Sequence, residues 1–213
     1  MKLTLFYAPV ACSLVPYVAL TEAGADFDVR VISYRRGDHL SAEYLRMNPK
    51  HKVPVLLIDG APLSENVAIL QWIARHHPEA HLLPTGGLEE FRAIAFLSWC
   101  ASGIHPALTP NALPQRYCDL PDSAESVRRC AQLLLTENYR IAEDQLGDRE
   151  WFFDSFSLAD AYFFWAFRRG TMFGVDVSGL PRCRAHLQRM MQRSSVQKVL
   201  AFESAALAAE KTV

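Results

Sequence analysis

Cys12 and Ser13 are the residues whose types and position point most directly to chemistry. They follow the apolar run KLTLFY, which is typical of a buried strand, and they precede the helical pattern LVPYVALTEAG. A thiol at a helix N-terminus faces unpaired N–H groups and the positive end of the helix dipole, and both favour the thiolate. The residues alone leave a structural role equally open, as a buried cysteine for Cys12 and as an N-cap for Ser13.

The elements that must position Cys12 have the order strand, helix, strand. If the helix begins near Cys12, Pro16 falls in its first turn, where the missing N–H costs little. Residues 27–32 then alternate apolar and charged side chains, as a half-buried strand does. This order predicts a parallel βαβ unit.

A second group of elements is predicted between residues 33 and 77. A polar stretch with a short helical pattern comes first, and VPVLLIDGAPLSE then predicts a buried strand, an Asp59-Gly60 turn and a returning strand. A helix should begin at Ser64 or Glu65. The order to this point is βαβ, helix, ββ, α.

Residues 78–87 are predicted to separate two domains. Their sequence, PEAHLLPTGG, is rich in Pro and Gly and has little periodicity, as in a linker. Every later pattern is helical. The predicted domains are an α/β domain over 1–80, a linker over 81–87 and an all-helical domain over 88–213.

The helical half contains four main patterns. Residues 88–105 are apolar almost all round, which predicts a fully buried helix, and Ser157 to Asp160 form a capping-box pattern before an aromatic helix. A further helix is predicted over roughly 182–193, and residues 196–210 are Ala-rich. The helix at 125–146 carries an apolar stripe through Val127, Ala131, Leu134, Ile141 and Leu146.

Composition and charge favour a small-molecule partner. The formal net charge of −1 gives no broad electrostatic footprint for nucleic acid or for an anionic membrane surface. No segment approaches the roughly 18 consecutive apolar residues of a membrane span, and the start of the chain lacks the pattern of a signal peptide. We therefore expect a soluble, cytoplasmic protein with neither nucleic acid nor membrane as its partner.

The cysteines and histidines predict free thiols and no metal site. The five cysteines are widely and irregularly spaced, without a C-x-x-C or zinc-finger pattern, which fits a reducing compartment. His76, His77 and His81 could suggest a metal, but no acid or thiol completes a ligand set with them, and histidines at a helix C-terminus favour the dipole in any case.

Four stretches carry a resemblance to a known family. The first half resembles the thioredoxin fold, and the chain as a whole resembles a cytosolic glutathione transferase, with a thioredoxin-like α/β domain followed by an all-α domain. The order and spacing of the stretches match that family from end to end. They are YAPVACSLVPYVAL at 7–20, NPKHKVPVLLIDG at 48–60, LSENVAIL at 63–70 and SLADAYFF at 157–164.

Within that family, the segment A-C-S-x-x-P is similar to the bacterial beta class, which has a cysteine where other classes have tyrosine or serine. The resemblance implies that Cys12 faces the sulfur of glutathione, the co-substrate, and that the protein is a homodimer. Tyr7 is a secondary candidate, because tyrosine at the end of this strand activates the thiol in other classes. Packing explains Tyr7 equally well.

The resemblance also implies a set of glutathione contacts in the α/β domain. Val53-Pro54 should have a cis peptide bond, with the Val53 N–H and C=O aimed at the cysteinyl backbone of glutathione. Glu65 should accept from the γ-glutamyl amine. Asn66, the next residue, should hold the neighbouring carboxylate; it departs from the usual Ser or Gly, a change that bears on the side-chain contact and leaves the backbone contact intact.

Further contacts are implied for the basic residues and for the helical domain. One of Arg35, Arg36 and Lys52 is expected to meet the glycine carboxylate. His105, preceded by Ser102 and Ser98, matches the beta-class histidine that reaches the glutathione thiol, and an imidazole is suited to assisting thiolate formation. Pro106 stands where the class often has a basic residue.

These observations predict an enzyme that transfers glutathione sulfur to an apolar electrophile, which would lie against a wall formed by Phe96, Trp99, Ile104 and Leu113. Two other hypotheses stay open. The first is thiol–disulfide exchange through Cys12. The second is a non-catalytic ligand-binding protein on the same fold.

Overall fold

The computed structural model describes residues 1–211 of the chain, and their contacts divide them into two compact units. The first contains Met1–Leu83 together with the described part of Gln192–Val213, and the second contains Pro84–Met191. The sequence predicts a single helical domain over 88–213, whereas the structure packs its last helix with the first unit. We describe each unit separately.

The first unit is built on a mixed sheet of four strands. The strands are β1 (Leu3–Tyr7), β2 (Asp28–Val31), β3 (Val55–Ile58) and β4 (Ala61–Ser64), in the order β2-β1-β3-β4. β1 runs parallel to β2 and antiparallel to β3, and β3 and β4 form the predicted hairpin. The βαβ prediction and the thioredoxin-like arrangement are thus confirmed.

Helices cover both faces of this sheet. They are α1 (Leu14–Glu22), α2 (Ala42–Met47), α3 (Asn66–His76) and α9 (Ser194–Lys211). Phe6 of β1 packs edge to face with Tyr44 of α2, whereas the next residue, Tyr7, packs against Tyr17 of α1 and Phe202 of α9. Because successive side chains of a strand point to opposite faces, β1 supports both layers.

The second unit is a helical assembly around one nearly fully buried helix. Its helices are α4 (Gly87–Trp99), α5 (His105–Ala112), α6 (Ala124–Leu146), α7 (Leu158–Met172) and α8 (Pro181–Met191). Every residue from Leu158 to Phe167 of α7 is buried. Ser157 and Asp160 form the predicted capping box at the start of this helix.

Two predictions about the helical half are wrong. α4 is not buried all round, because Leu88 and Phe91 are 63% and 65% exposed. On α6, Ala131 and Leu146 of the predicted stripe are buried, but Leu134 and Ile141 are exposed, and the buried face runs through Leu135 and Tyr139 in their place. Apolar side chains on a helix therefore did not suffice to identify the face that packs.

Candidate functional site

Cys12 lies in the turn that joins β1 to α1. Its side chain is almost fully buried, with 7% of its surface exposed. The thiol donates a hydrogen bond to the Val53 carbonyl, with 3.4 Å between sulfur and oxygen. The helix begins two residues later, at Leu14, so the prediction of a cysteine at a helix start is confirmed.

The environment of Cys12 keeps it a neutral thiol at neutral pH. Burial raises the pKa of Cys12 from its ordinary value of 9.0 to about 12, and the Glu65 carboxylate adds to the rise. Its own backbone N–H, the Asn66 amide and the Lys52 charge lower that pKa by less. The expectation of a stabilised thiolate is therefore wrong for the chain alone, because desolvation outweighs the helix start.

Asn66, the first residue of α3, connects that helix to the Cys12 turn. Its amide nitrogen donates to the Cys12 carbonyl across 3.2 Å, and the side chain is only 5% exposed. Its Oδ1 is buried and has no hydrogen-bond partner within the described part of the chain. The side chain that the resemblance places against glutathione is thus turned towards Cys12.

The Val53-Pro54 peptide bond is cis, as the resemblance implies. The Val53 carbonyl accepts from the Cys12 thiol, and the Val53 N–H donates to the Tyr34 hydroxyl across 3.4 Å. Both backbone groups therefore have partners in the chain alone. Sequence reasoning missed Tyr34, because only the tertiary fold brings it to Val53.

Glu65 precedes α3 in an unusual backbone conformation. Its φ and ψ are 77° and 122°, a region that costs a residue other than glycine about 1–3 kcal/mol and is most often found at functional sites. Its exposed carboxylate pairs with the ammonium of Lys50, which also donates to the Ser64 hydroxyl. Sequence reasoning missed Lys50, although it lies in the NPK segment next to the cis proline loop.

Ser13 and Tyr7 brace the Cys12 turn. The Ser13 hydroxyl is fully buried, accepts from the Ala8 N–H at 3.0 Å and donates to the Ala8 carbonyl at 3.1 Å. The Tyr7 hydroxyl donates to the Glu203 carboxylate, which also accepts from the N–H of Val10, a residue with φ of 63°. These contacts give both side chains a structural role, which the sequence left open.

The basic candidates Arg35 and Lys52 differ in their surroundings. Arg35 donates to the Glu210 carbonyl of α9 across 3.2 Å, at the protein surface. Lys52 is exposed, and its charge lowers the pKa of Cys12. Lys52 is thus the candidate whose charge acts on the thiol.

His105, Ser98 and Ser102 belong to the second unit. The His105 ring lies edge to face against Trp165, and its Nδ1 is 3.3 Å from the Tyr162 hydroxyl. The Ser102 hydroxyl donates to the Ser98 carbonyl one turn earlier. Both serines are exposed.

His105 follows a widened helical turn over Cys100–Ile104. In this π turn the His105 N–H donates to the Cys100 carbonyl, five residues back. Pro106, the next residue, has no N–H, and its ring displaces the carbonyl four residues earlier, which favours the wider turn. Gly103 is required here, because a Cβ would lie 2.8 Å from the Trp99 ring. Pro106 and Gly103 thus determine where the π turn ends and where α5 begins, at His105.

The predicted apolar wall needs correction. Phe96 and Ile104 are only 7% and 0% exposed, so they belong to the protein core. The second unit instead has an open cavity of about 500 Å³ between the π turn, α5 and α6. Its mostly apolar lining includes Gly103, Pro106, Val127, Cys130, Leu134 and Asn138.

Neither a metal site nor a membrane helix is found among residues 1–211. No group of three His, Cys, Asp or Glu side chains there could hold a metal ion. No helix in this range is both long and apolar enough to cross a membrane. All five cysteines are free.

Comparisons with known proteins agree with this geometry. Residues 1–75 match the family model of the glutathione S-transferase N-terminal domain. The chain is 33% identical over 203 residues to the glutathione S-transferase GstA of Escherichia coli O157:H7, an alignment that covers 93% of this chain and 98% of GstA.

Solved structures give the same result. A bacterial beta-class glutathione S-transferase from Sphingomonas chungbukensis is 36% identical and superposes with a TM-score of 0.83 over 95% of this chain and 98% of its own. A sphingomonad glutathione S-transferase in complex with glutathione is 31% identical, with a TM-score of 0.83 over 96% and 99% of the two chains. The chain belongs to the glutathione S-transferase family.

Proposed function

We propose that this protein binds glutathione in its first unit and joins the glutathione sulfur to an apolar electrophile. One observation supports this most directly. The Cys12 turn, the cis Val53-Pro54 loop and the strained residue before α3 meet in one place, where hydrogen bonds connect Cys12 to both Val53 and Asn66.

The proposed glutathione contacts follow from the donors and acceptors at this place. Glu65 accepts from the γ-glutamyl ammonium, while the first N–H groups of α3 bind the neighbouring carboxylate. The Val53 backbone N–H and C=O pair with the cysteinyl backbone of glutathione. The Val53 N–H then donates to glutathione in place of the Tyr34 hydroxyl. Lys52 or Arg35 meets the glycine carboxylate.

Cys12 acts in this proposal as a hydrogen-bond donor to the glutathione sulfur. With its pKa raised to about 12, the Cys12 thiol keeps its proton at neutral pH and stabilises a neighbouring thiolate. The glutathione sulfur forms a bond to the electrophilic carbon, the leaving group departs with its electron pair, and the glutathione thiol proton passes to solvent. The role of His105 in assisting thiolate formation remains a prediction.

The raised pKa of Cys12 makes thiol–disulfide exchange through Cys12 the weaker hypothesis, because the attacking species in that reaction is a thiolate. Replacing Cys12 by Ala separates the two reactions. Exchange should vanish in this variant, whereas conjugation should persist at a reduced rate.

Thioether formation tests the proposal. The purified protein should convert a chlorinated nitrobenzene and glutathione to the conjugate, and it should be retained on immobilised glutathione. Absence of both results would overturn the transferase function. Retention without turnover would favour the ligand-binding alternative.

We also propose a beta-class homodimer that acts in detoxification in the cytoplasm. Leu88 and Phe91, one turn apart on α4, are both more than half exposed in the single chain, as residues of an interface are before assembly. Light scattering should give the mass of a dimer. Phe91→Asp should lower that mass towards a monomer, whereas Leu120→Asp, at a loop position of similar exposure, should not.

A further inference from the structure

Asn66 occupies a position from which it acts on Cys12. It begins α3, 54 residues after Cys12, and its buried amide nitrogen donates to the Cys12 carbonyl across 3.2 Å. The same carbonyl accepts the Val15 N–H of α1 at 3.1 Å. Because both lone pairs are used, the peptide that follows Cys12 is fixed from two sides.

The orientation of the Asn66 amide is also determined by these contacts. If the amide were reversed, its oxygen would face the Cys12 carbonyl oxygen, and two acceptors would meet in a buried place. The amide nitrogen therefore lies on the Cys12 side, where its N–H groups lower the pKa of the thiol. A serine, which is one bond shorter, would leave the Cys12 carbonyl without this donor.

We propose that Asn66 is a positioning residue for the Cys12 thiol, which it orients from α3 through the Cys12 carbonyl. The inference rests on the proposed function for its importance to catalysis, because Cys12 is the group expected beside the glutathione sulfur. Asn66 thereby ties the turn that carries the thiol to the helix that is proposed to receive the γ-glutamyl end.

Other charged and titratable groups also act on this thiol. The Glu65 carboxylate, just before α3, raises the pKa of Cys12, and the Lys52 ammonium, before β3, lowers it. The Tyr44 phenol of α2 interacts electrostatically with Cys12 as well. A test must therefore change Asn66 while leaving these three groups in place.

The test measures the alkylation rate of Cys12 by iodoacetamide without glutathione, by mass spectrometry of the Cys12 peptide between pH 8 and 10. In this range the rate follows the thiolate fraction. Asn66→Asp keeps the side-chain volume but replaces the donor by a negative charge. Its rate should fall roughly tenfold at each pH, since a lost hydrogen bond and a like charge act together.

Asn66→Ser and Asn111→Ser complete the experiment. Asn66→Ser removes the donor without adding charge, so its rate should fall by a smaller factor, and it replaces the Asp variant if that variant does not fold. Asn111 is the matched control, a buried asparagine whose amide donates to Ala107 of its own helix and whose Oδ1 likewise has no partner among the described residues. Its substitution should leave Cys12 alkylation unchanged.

An alkylation rate that is unchanged in the folded Asn66 variants would overturn the proposal. The proposed function is tested separately, by calorimetric titration of the unsubstituted protein with glutathione. Absence of binding there would contradict the proposed function, while the comparison of alkylation rates would still decide the role of Asn66.

Discussion

The Tyr7 hydroxyl donates a 3.0 Å hydrogen bond to the Glu203 carboxylate, although 196 residues separate the two in the chain. Both side chains are buried, and the same carboxylate oxygen accepts from the N–H of Val10 in the Cys12 turn. The last helix of the chain thus holds the turn in which the proposed reactive thiol lies.

This relationship predicts that Tyr7 contributes to stability rather than to thiol activation. Tyr7→Phe leaves the buried Glu203 carboxylate with one donor fewer and should cost about 1–3 kcal/mol of unfolding free energy in urea. The conjugation rate per folded molecule should stay within about twofold of that of the natural protein, a change of less than about 1 kcal/mol in the activation free energy. Tyr117→Phe, at an exposed position, is the control for stability. A large loss of turnover at unchanged stability would return Tyr7 to the catalytic residues.

The raised pKa of Cys12 predicts that the protein loses stability in alkali. Its folded pKa of about 12 lies above the ordinary value of 9.0, so the folded chain keeps a proton that the unfolded chain releases as pH rises past 9. Its contribution is therefore complete below pH 9 and declines as pH rises towards 12. Urea unfolding at pH 8, 9 and 10 should show a steeper decline for the natural chain than for Cys12→Ser. An equal decline of the unfolding free energy with pH in the two proteins would contradict the raised pKa of Cys12.

Among substitutions in the second unit, replacement of Asp160 should cause the greatest loss of stability. Its buried carboxylate accepts from the N–H groups of Phe152 and Ser157 and the Ser157 hydroxyl, and lies 3.0 Å from His186 Nε2. Asp160→Asn keeps the shape but removes half of the acceptor capacity and should cost about 3–5 kcal/mol. Asp176→Asn, in an exposed turn, should cost about 1 kcal/mol or less in the same urea titration. A similar small loss for both would contradict a role of Asp160 in the fold.

The ion pair of Glu65 and Lys50 should contribute little to stability, whereas the Glu65 carboxylate should contribute to glutathione binding. Their ion pair is exposed, so its removal by Lys50→Gln should change the unfolding free energy by about 1 kcal/mol or less. Glu65→Gln should weaken glutathione binding about tenfold or more, because a charged acceptor for the γ-glutamyl ammonium is lost. Glu89→Gln, which removes the exposed pair with Arg92, is the matched control. Unchanged calorimetric affinity in Glu65→Gln would remove Glu65 from the glutathione contacts.

Local patterns in the sequence predict those parts of the fold that depend on local physics. The helix start after Cys12, the Asp59-Gly60 hairpin and the Ser157 capping box each depend on residues within a few positions of one another, and the structure contains all three. The cis bond before Pro54 was predicted only through the family resemblance.

Other features could not be predicted, because they depend on contacts between distant residues. The pKa of Cys12 follows from burial, which spacing along the chain does not specify. The contacts from Asn66 to Cys12 and from Tyr34 to Val53 need the folded sheet to bring separate segments together. The exposure of Leu88 was missed because apolarity all round a helix does not require burial all round.

A crystal structure of the protein with bound glutathione is the decisive measurement for the proposed site. We expect the glutathione sulfur to lie in hydrogen-bonding contact with the Cys12 thiol, its cysteinyl backbone to pair with Val53, and its ammonium to contact Glu65. A glutathione molecule bound elsewhere, or one whose sulfur lies away from Cys12, would overturn the proposed site.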